Sequence, residues 1–307
     1  MITLTRRTVG ILLLSTMASA MFSRTGIAEE ALRSIAHQLG STDIVGRPRR
    51  VVALEFSFVQ ALDALGVVPA GIADDNQRQR IKLLLGKNID YTSVGTRLEP
   101  NLELVSNLAP DLVIADEVRH AAIYGQLTAI APTIVLNSWE GDYRTIREGV
   151  ATIADALGEH DTGQRVLAAH DKTIAALAAH IPSGEQRRIL LAVATPDSMS
   201  LHTSSSFTGS VFEALGLVPA LRSSDPVESG ASLERLLAVN PDILLVATDP
   251  GGTALDQWKG NTAWANIAAI KSNMVFEVDR NQFARFRGLR TAEMIAQELL
   301  AKVYGAG

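Results

Sequence analysis

The stretch from Asn101 to Asp116 reads NLELVSNLAPDLVIAD, and Ser232 to Asp249 repeats its plan as SLERLLAVNPDILLVATD. In each, a residue suited to capping (Asn101, Ser232) precedes a short helical pattern, a Pro-Asp pair stops it, and branched apolar residues follow. A run that is apolar at every position suits a strand covered on both faces, and such strands belong to parallel sheets. Two copies predict two sheets. The matching glutamates, Glu103 and Glu234, lie 131 positions apart. That is too wide for a solenoid repeat and suits two lobes of roughly 110 to 130 residues.

A second echo extends the duplication. Leu-Gly-x-Val-Pro-Ala occurs at Leu65 to Ala70 and again at Leu215 to Ala220, an offset of 150, so the lobes differ by inserted loops. Working outward, RVVALE, the amphipathic pattern FSFVQALDALGV and AGIADD form a βαβ unit. TSVGTR, a helix over RHAAIYGQLTAIA and a strand TIVLN complete the first lobe. From Asp142 to Ile181 the pattern is helical, with Ile146, Val150, Ile153, Ala154 and Leu157 on one face and Val166, Leu167, Ile174 and Leu177 in a second helix. RILLAVA then opens a new strand, and RSSDPVESG (222–230) reads as a surface loop. The expectation is an α/β protein of two similar lobes with mainly parallel sheets, residues 49–160 and 186–307, joined by a single long helix over 161–181.

The N-terminus stands apart. Arg6 and Arg7 precede an apolar stretch from Val9 to about Ala20, too short for a membrane anchor and suited to a cleaved export signal over residues 1–28. Thr5-Arg6-Arg7 also fits the twin-arginine route. Cleavage is expected after Ala28, with Ala20 as the alternative. Loss of Arg6, Arg7 and Arg24 with no acid takes the net charge from −5 to −8, which argues against a nucleic-acid partner. The chain has no cysteine, which removes disulfides, thiolate metal sites, a cysteine nucleophile and a lipidated N-terminal cysteine. The expected location is a periplasm, in soluble form.

Ligands of open α/β sheets bind beyond the carboxyl ends of the strands. The residues expected there include Glu55, Asp74, Asp75, Arg97, Asp116, Arg119, His120, Tyr124 and Trp139 in the first lobe. In the second they include the His202 to Thr208 segment and Arg280, Arg285, Arg287 and Arg290 of RNQFARFRGLR. Four arginines in eleven residues of an acidic chain either form a solvated face or converge on an anion, whose carboxylate oxygens a guanidinium pairs two at a time. No G-x-S-x-G elbow, Walker A loop, G-x-G-x-x-G or H-E-x-x-H is present, and HTSSSFTGS alone does not make a catalytic triad. His160, His170 and His180 diverge around a helix and read as surface residues. Glu103 and Glu234 are either favourable charges in first helical turns or docking charges, one per lobe.

From Arg49 to Tyr304 the chain resembles the iron(III) dicitrate-binding proteins of the substrate-binding family of ABC-type ferric siderophore transporters. VVALEFSFVQALDALGV, AGIADDN, SVGTR, PDLVIADEVRHAAIY, LHTSSSFTGSVFEALGL, SLERLLAVNPDILLVA and ARFRG carry the resemblance. It implies a receptor that captures an anionic ferric siderophore, iron(III) dicitrate first among candidates, and delivers it to an inner-membrane ABC permease with its ATPase. Iron is then cargo, with no cofactor, no catalytic residue and no protein metal ligand, and the receptor is expected to be a monomer. The implied cargo contacts are Arg97, Arg119, Tyr124, Trp139, Ser205, Phe207, Arg285 and Arg287, and Glu103 and Glu234 become the permease-docking charges. Phe207 and Phe283 stand where tryptophan is expected, a departure that bears on citrate specificity. The alternatives are a receptor for another ferric siderophore, haem or a corrinoid, and an exported serine hydrolase using Ser204 to Ser206 with His202.

Overall fold

The computed structural model describes residues 32–195, 198–248 and 260–305, so the export signal expected over residues 1–28 lies outside the described residues. A hairpin comes first, β1 (Leu32–His37) antiparallel to β2 (Gly40–Val45), and buries Ile35 and Ile44 in the core of the first lobe. The first sheet then takes the short runs β3 (Val51–Ala53), β4 (Gly71–Ile72), β5 (Thr92–Ser93), β6 (Leu112–Asp116) and β7 (Thr133–Leu136) in the order β5-β4-β3-β6-β7. All its pairs are parallel. Every residue of β6 and β7 is buried, as continuous apolar runs require.

Helix α1 (Phe56–Ala64) follows β3, α2 (Arg78–Leu85) follows β4, and α3 (Leu102–Asn107) opens on the Asn101 cap. The amphipathic reading of α1 is corrected, since Phe56 through Leu62 are all buried and the helix is covered on all sides. The single helix expected over RHAAIYGQLTAIA is two short ones, α4 (Glu117–His120) and α5 (Tyr124–Thr128), either side of a 3-10 turn at Ala121–Ile123.

The second sheet is mixed. Its order is β11-β9-β8-β12-β13, with β8 (Arg188–Thr195), β9 (Ser198–His202), β11 (Val227–Ser229), β12 (Ile243–Thr248) and β13 (Val275–Asp279), while β10 (Val218–Pro219) pairs with β8. β8, β12 and β13 are parallel, and β9 runs antiparallel to both of its neighbours, β8 and β11. Part of the expected 222–230 loop is therefore a strand, because Val227 to Ser229 find an open edge on β9. Helices α8 (Phe207–Ala214), α9 (Leu233–Val239), α10 (Thr262–Ala265) and α11 (Ala268–Lys271) complete this lobe.

Two helices form the spine, α6 (Tyr143–Leu157) and α7 (His160–Ala178). Gly163 lets them cross closely, since a Cβ there would lie 2.5 Å from Ala154 Cβ. Along α7, Val166 and Leu167 pack on the first core, and Ile174 and Leu177 on the second. The final helix α12 (Leu289–Tyr304) buries Ala292, Ile295, Ala296 and Leu299 in the second core, yet Phe286 and Leu289 just before it belong to the first. Gly288, at φ 149°, permits this return: a Cβ would sit 1.9 Å from Gln60 Oε1.

His170 is not a surface residue. It is 3% exposed, with Nε2 2.6 Å from the Tyr143 hydroxyl and Nδ1 2.6 Å from Glu293 Oε1, because α7 is covered at that point by α6 and α12.

Candidate ligand-binding site

The carboxyl ends of both sheets face one cavity of about 560 Å³, within the range of small-molecule sites. Arg97, Arg119 and Trp139 line it from the first lobe; His202, Phe207, Arg280, Arg285 and Arg287 are among the residues lining it from the second half of the chain.

Strand-end loops are held by buried polar groups. The Asp116 carboxylate, 0% exposed, accepts from the backbone N–H groups of Arg119 (2.9 Å), Ser138 (2.8 Å) and Trp139 (2.9 Å). One side chain thus caps α4 and pins the turn after β7, placing Arg119 beside Trp139. His120 accepts the Asp116 N–H at Nδ1 (2.9 Å), so its Nε2 donates to the Arg97 carbonyl (2.8 Å). Burial holds this imidazole below its ordinary pKa.

The arginines differ in how their charge is met. Arg97, 6% exposed, pairs with Asp75 (2.9 Å) and Glu55 (3.2 Å) and stacks 4.0 Å above the Phe56 ring. Burial works against its charge, but Glu55 and Asp75 outweigh it and hold its pKa above the ordinary value. Arg119 lies 3.1 Å from Glu55 and 4.1 Å over Trp139. Arg287 lies 5.1 Å from the centroid of the same indole and makes no ion pair among the described residues; it donates to the Arg285 carbonyl, while its buried Nε has no partner. Burial lowers its pKa to about 10, with Glu55 pulling it back up and Arg97 and Arg119 pushing it further down. Arg285 bonds the Asn281 side chain.

His202 occupies the middle strand of a three-stranded patch, opposite Leu191 of β8 and Val227 of β11. Its Nδ1 is buried without a partner, and burial, then Arg287 and Arg280, push its pKa down to about 3. No hydrogen bond joins it to Ser204, Ser205 or Ser206. Ser206 instead caps α8, donating to the Thr203 carbonyl and accepting the Gly209 N–H. A nucleophile paired with a base is absent from this segment, so the hydrolase alternative has no geometry.

A model of the periplasmic binding proteins matches residues 51–281. The chain belongs to the periplasmic binding protein family. It is similar to the Fe(3+)-citrate-binding protein YfmC of Bacillus subtilis, 48% identical over 89% of this chain and 86% of the relative. It is also similar to the Fe(3+) dicitrate-binding periplasmic protein FecB of Escherichia coli, 37% identical over 86% of this chain and 88% of the relative. Among solved structures, Staphylococcus aureus SirA complexed with staphyloferrin B superposes with a TM-score of 0.77 at 25% identity, covering 89% of this chain and 98% of that one. This is a two-lobed binding protein of transport, not an enzyme.

Within this binding protein, Arg97, Arg119, Trp139, Phe207, Arg285 and Arg287 converge on the cavity. Tyr124 and Ser205 do not join its lining. The Tyr124 ring packs edge-on against His37 of the N-terminal hairpin at 5.7 Å, and Ser205 spends its hydroxyl on the Ser223 carbonyl. The sequence held no signal for the first, since the hairpin lies ahead of the repeat. Arg280 lines the cavity, whereas Arg290 lies outside that lining, stacked over Gly86. Glu103 and Glu234 are exposed in the first turns of α3 and α9. Sequence reasoning placed Glu55 and Asp75 near the site without seeing that they neutralise Arg97. Among the described residues, no group of three or more His, Asp or Glu side chains could hold a metal ion.

Proposed function

We propose that this binding protein captures an anionic ferric hydroxycarboxylate complex, iron(III) dicitrate, in the cavity between its lobes and delivers it to an ABC permease. One observation carries the cargo class: five arginines line the cavity, and Arg287 among them is half-buried without an ion pair among the described residues. A trihydroxamate complex is near neutral and has little use for such a wall, whereas carboxylate oxygens suit guanidinium forks. Similarity to proteins named for Fe(3+)-citrate and Fe(3+) dicitrate supports the choice among anionic complexes. Arg97, Arg119, Trp139, Phe207, Arg285 and Arg287 contact the cargo, with iron kept inside its chelator. The exported protein acts as a periplasmic monomer, and Glu103 and Glu234 dock on permease arginines.

Titration of the mature protein, followed by Trp139 fluorescence and calorimetry, tests this with ferric citrate, a ferric hydroxamate, a ferric catecholate and iron-free citrate in parallel. Saturable binding of ferric citrate, with the hydroxamate and iron-free citrate much weaker, is expected. A response to the catecholate alone would move the cargo; a response to the hydroxamate alone would overturn the anion argument.

A further inference from the structure

Arg97 and Arg119 reach the cavity already bound to protein. One carboxylate, Glu55, holds both, 3.2 Å from one guanidinium and 3.1 Å from the other. It sits just past β3 as the N-cap of α1 and is 1% exposed. Its Oε2 accepts the Phe56 N–H and an Arg97 N–H, whereas Oε1, sealed from solvent, receives no aligned donor despite its nearness to Arg119. The charges that face it are Arg97, Arg119 and Arg287 on one side of the ledger and Asp116 on the other, with Asp75 beyond Arg97.

An anion that settles in the cavity meets Arg97 and Arg119 while Glu55 still claims them. Two anions then share two guanidiniums, and because Glu55 itself is sealed from solvent, the like charges repel more strongly than they would in water. Burial already favours the neutral acid and raises the Glu55 pKa above the usual carboxylate range, against the pull of Arg97 and Arg119. A second anion beyond the arginines adds to that push.

We propose that Glu55 sets the charge of the cargo site: it is ionised when the cavity is empty and takes up one proton as the anionic cargo settles against Arg97 and Arg119. This rests on the anionic cargo proposed above. The proton comes from solvent and adds to a Glu55 oxygen, with no other bond made or broken. Ionised Glu55 keeps the two arginines compensated and in place while the site is empty. Protonated Glu55 returns their charge to the cargo. By linkage, uptake of one proton makes affinity rise as pH falls, by at most about tenfold per pH unit. A complex with less negative charge drives less uptake, so Glu55 also sorts cargo by charge.

Calorimetric titration with ferric citrate, in buffers of differing ionisation enthalpy and over a range of pH, counts the protons taken up by wild type and by Glu55→Gln. Proton chemistry of ferric citrate itself is common to both and cancels in the difference. Wild type is expected to take up close to one proton more than the variant, and the variant to bind about tenfold tighter at the alkaline end with a flatter pH profile. Equal proton uptake, or weaker binding by a folded variant at every pH, overturns the proposal. Infrared difference spectra of loaded minus empty wild type give a check that needs no variant: the carbonyl stretch of a protonated acid must appear, and its absence overturns the proposal. Wild type that ignores ferric citrate counts against the cargo assignment instead, and the same series is run with the anionic complex it does bind; if it binds none, both readings fall.

Discussion

Replacing Arg287 with methionine removes a half-buried cation that has no ion pair among the described residues, and the size of the effect can be worked in advance. Its pKa lies near 10 against an ordinary 12.5, a difference of about 3 kcal/mol against the charged form. Part of the side chain faces the cavity, where water screens it, so roughly half of that is a realistic cost to the empty protein. Because a base with a lowered pKa carries its cost at every pH below the folded value, the full penalty is present at neutral pH. Methionine relieves it but gives up the hydrogen bond to the Arg285 carbonyl and the contact with Trp139, together about 1 kcal/mol. Stability should therefore stay within about 1 kcal/mol of wild type, a shift of no more than about 4 °C in Tm. Cargo binding should not be spared. A unit charge about 4 Å from an anion at an effective dielectric near 20 contributes about 4 kcal/mol; halved for screening, its loss weakens binding roughly 30-fold. Calorimetry at low and high salt, alongside thermal denaturation, separates the two effects, and the affinity gap should narrow as salt rises. An unchanged Kd, or an affinity loss that merely follows a loss of Tm, would refute the reasoning.

Three further outcomes follow from the same structure. The Glu103→Ala, Glu234→Ala variant should bind ferric citrate like wild type yet support no uptake by cells that depend on this receptor; intact uptake would end the docking assignment. Asp116→Ala strips the acceptor from three backbone N–H groups and should lower unfolding free energy by about 3 kcal/mol, read by urea denaturation, with cargo binding lost because Arg119 and Trp139 are no longer held. His202 and His120 both have lowered pKa values, by burial first, so they favour the native state above the ordinary value of 6.5. That preference is lost as pH falls below 6.5, where the unfolded chain takes the proton first. The urea midpoint of the empty protein should drop on acidification from pH 6.5, and His202→Gln should flatten the drop; parallel profiles would place a charged His202 in the native state.

Repeated local patterns were legible where one physical cause dominates. The capped helix, the Pro-Asp stop and the all-apolar run reappear as α3 with β6 and α9 with β12, because capping, helix breaking and two-sided burial each act within a few residues. Apolar periodicity likewise found α6 and α7. What escaped depends on partners distant in sequence. Val227 to Ser229 form a strand only because β9 offers an edge, His170 is buried only because α6 and α12 close over it, and Tyr124 is drawn away from the cavity by a hairpin some ninety residues earlier. The arginines could be read, and Glu55 and Asp75 could be placed at strand ends beside them; their pairing with Arg97 could not, since Glu55 is 42 and Asp75 22 positions from it.

The same long-range contacts decide how the site works. The lobes are joined by α7, which is anchored in both cores, and by the return of Phe286 and Leu289 into the first core ahead of α12. The Phe56 and Phe286 rings meet edge-on at 5.6 Å, Gln60 bonds Thr291 at 2.8 Å, and Tyr143, His170 and Glu293 tie the start of α6 to the other two helices. Wide separation of the lobes would unpack each of these buried clusters, at a cost of several kcal/mol. Binding by this hinge therefore draws on a site arranged in advance, which saves the ordering cost that a flexible site incurs. Arranging arginines in advance has its own difficulty, because bare guanidiniums held together repel one another. In the first lobe Glu55 and Asp75 meet that repulsion, and at the crossing segment Arg287 bears it without an ion pair among the described residues, only partly offset by the more distant Glu55. Affinity for an anion is thus stored as a cost in the empty protein, most of it at Arg287, where a neutral side chain should be tolerated by the fold and rejected by the cargo.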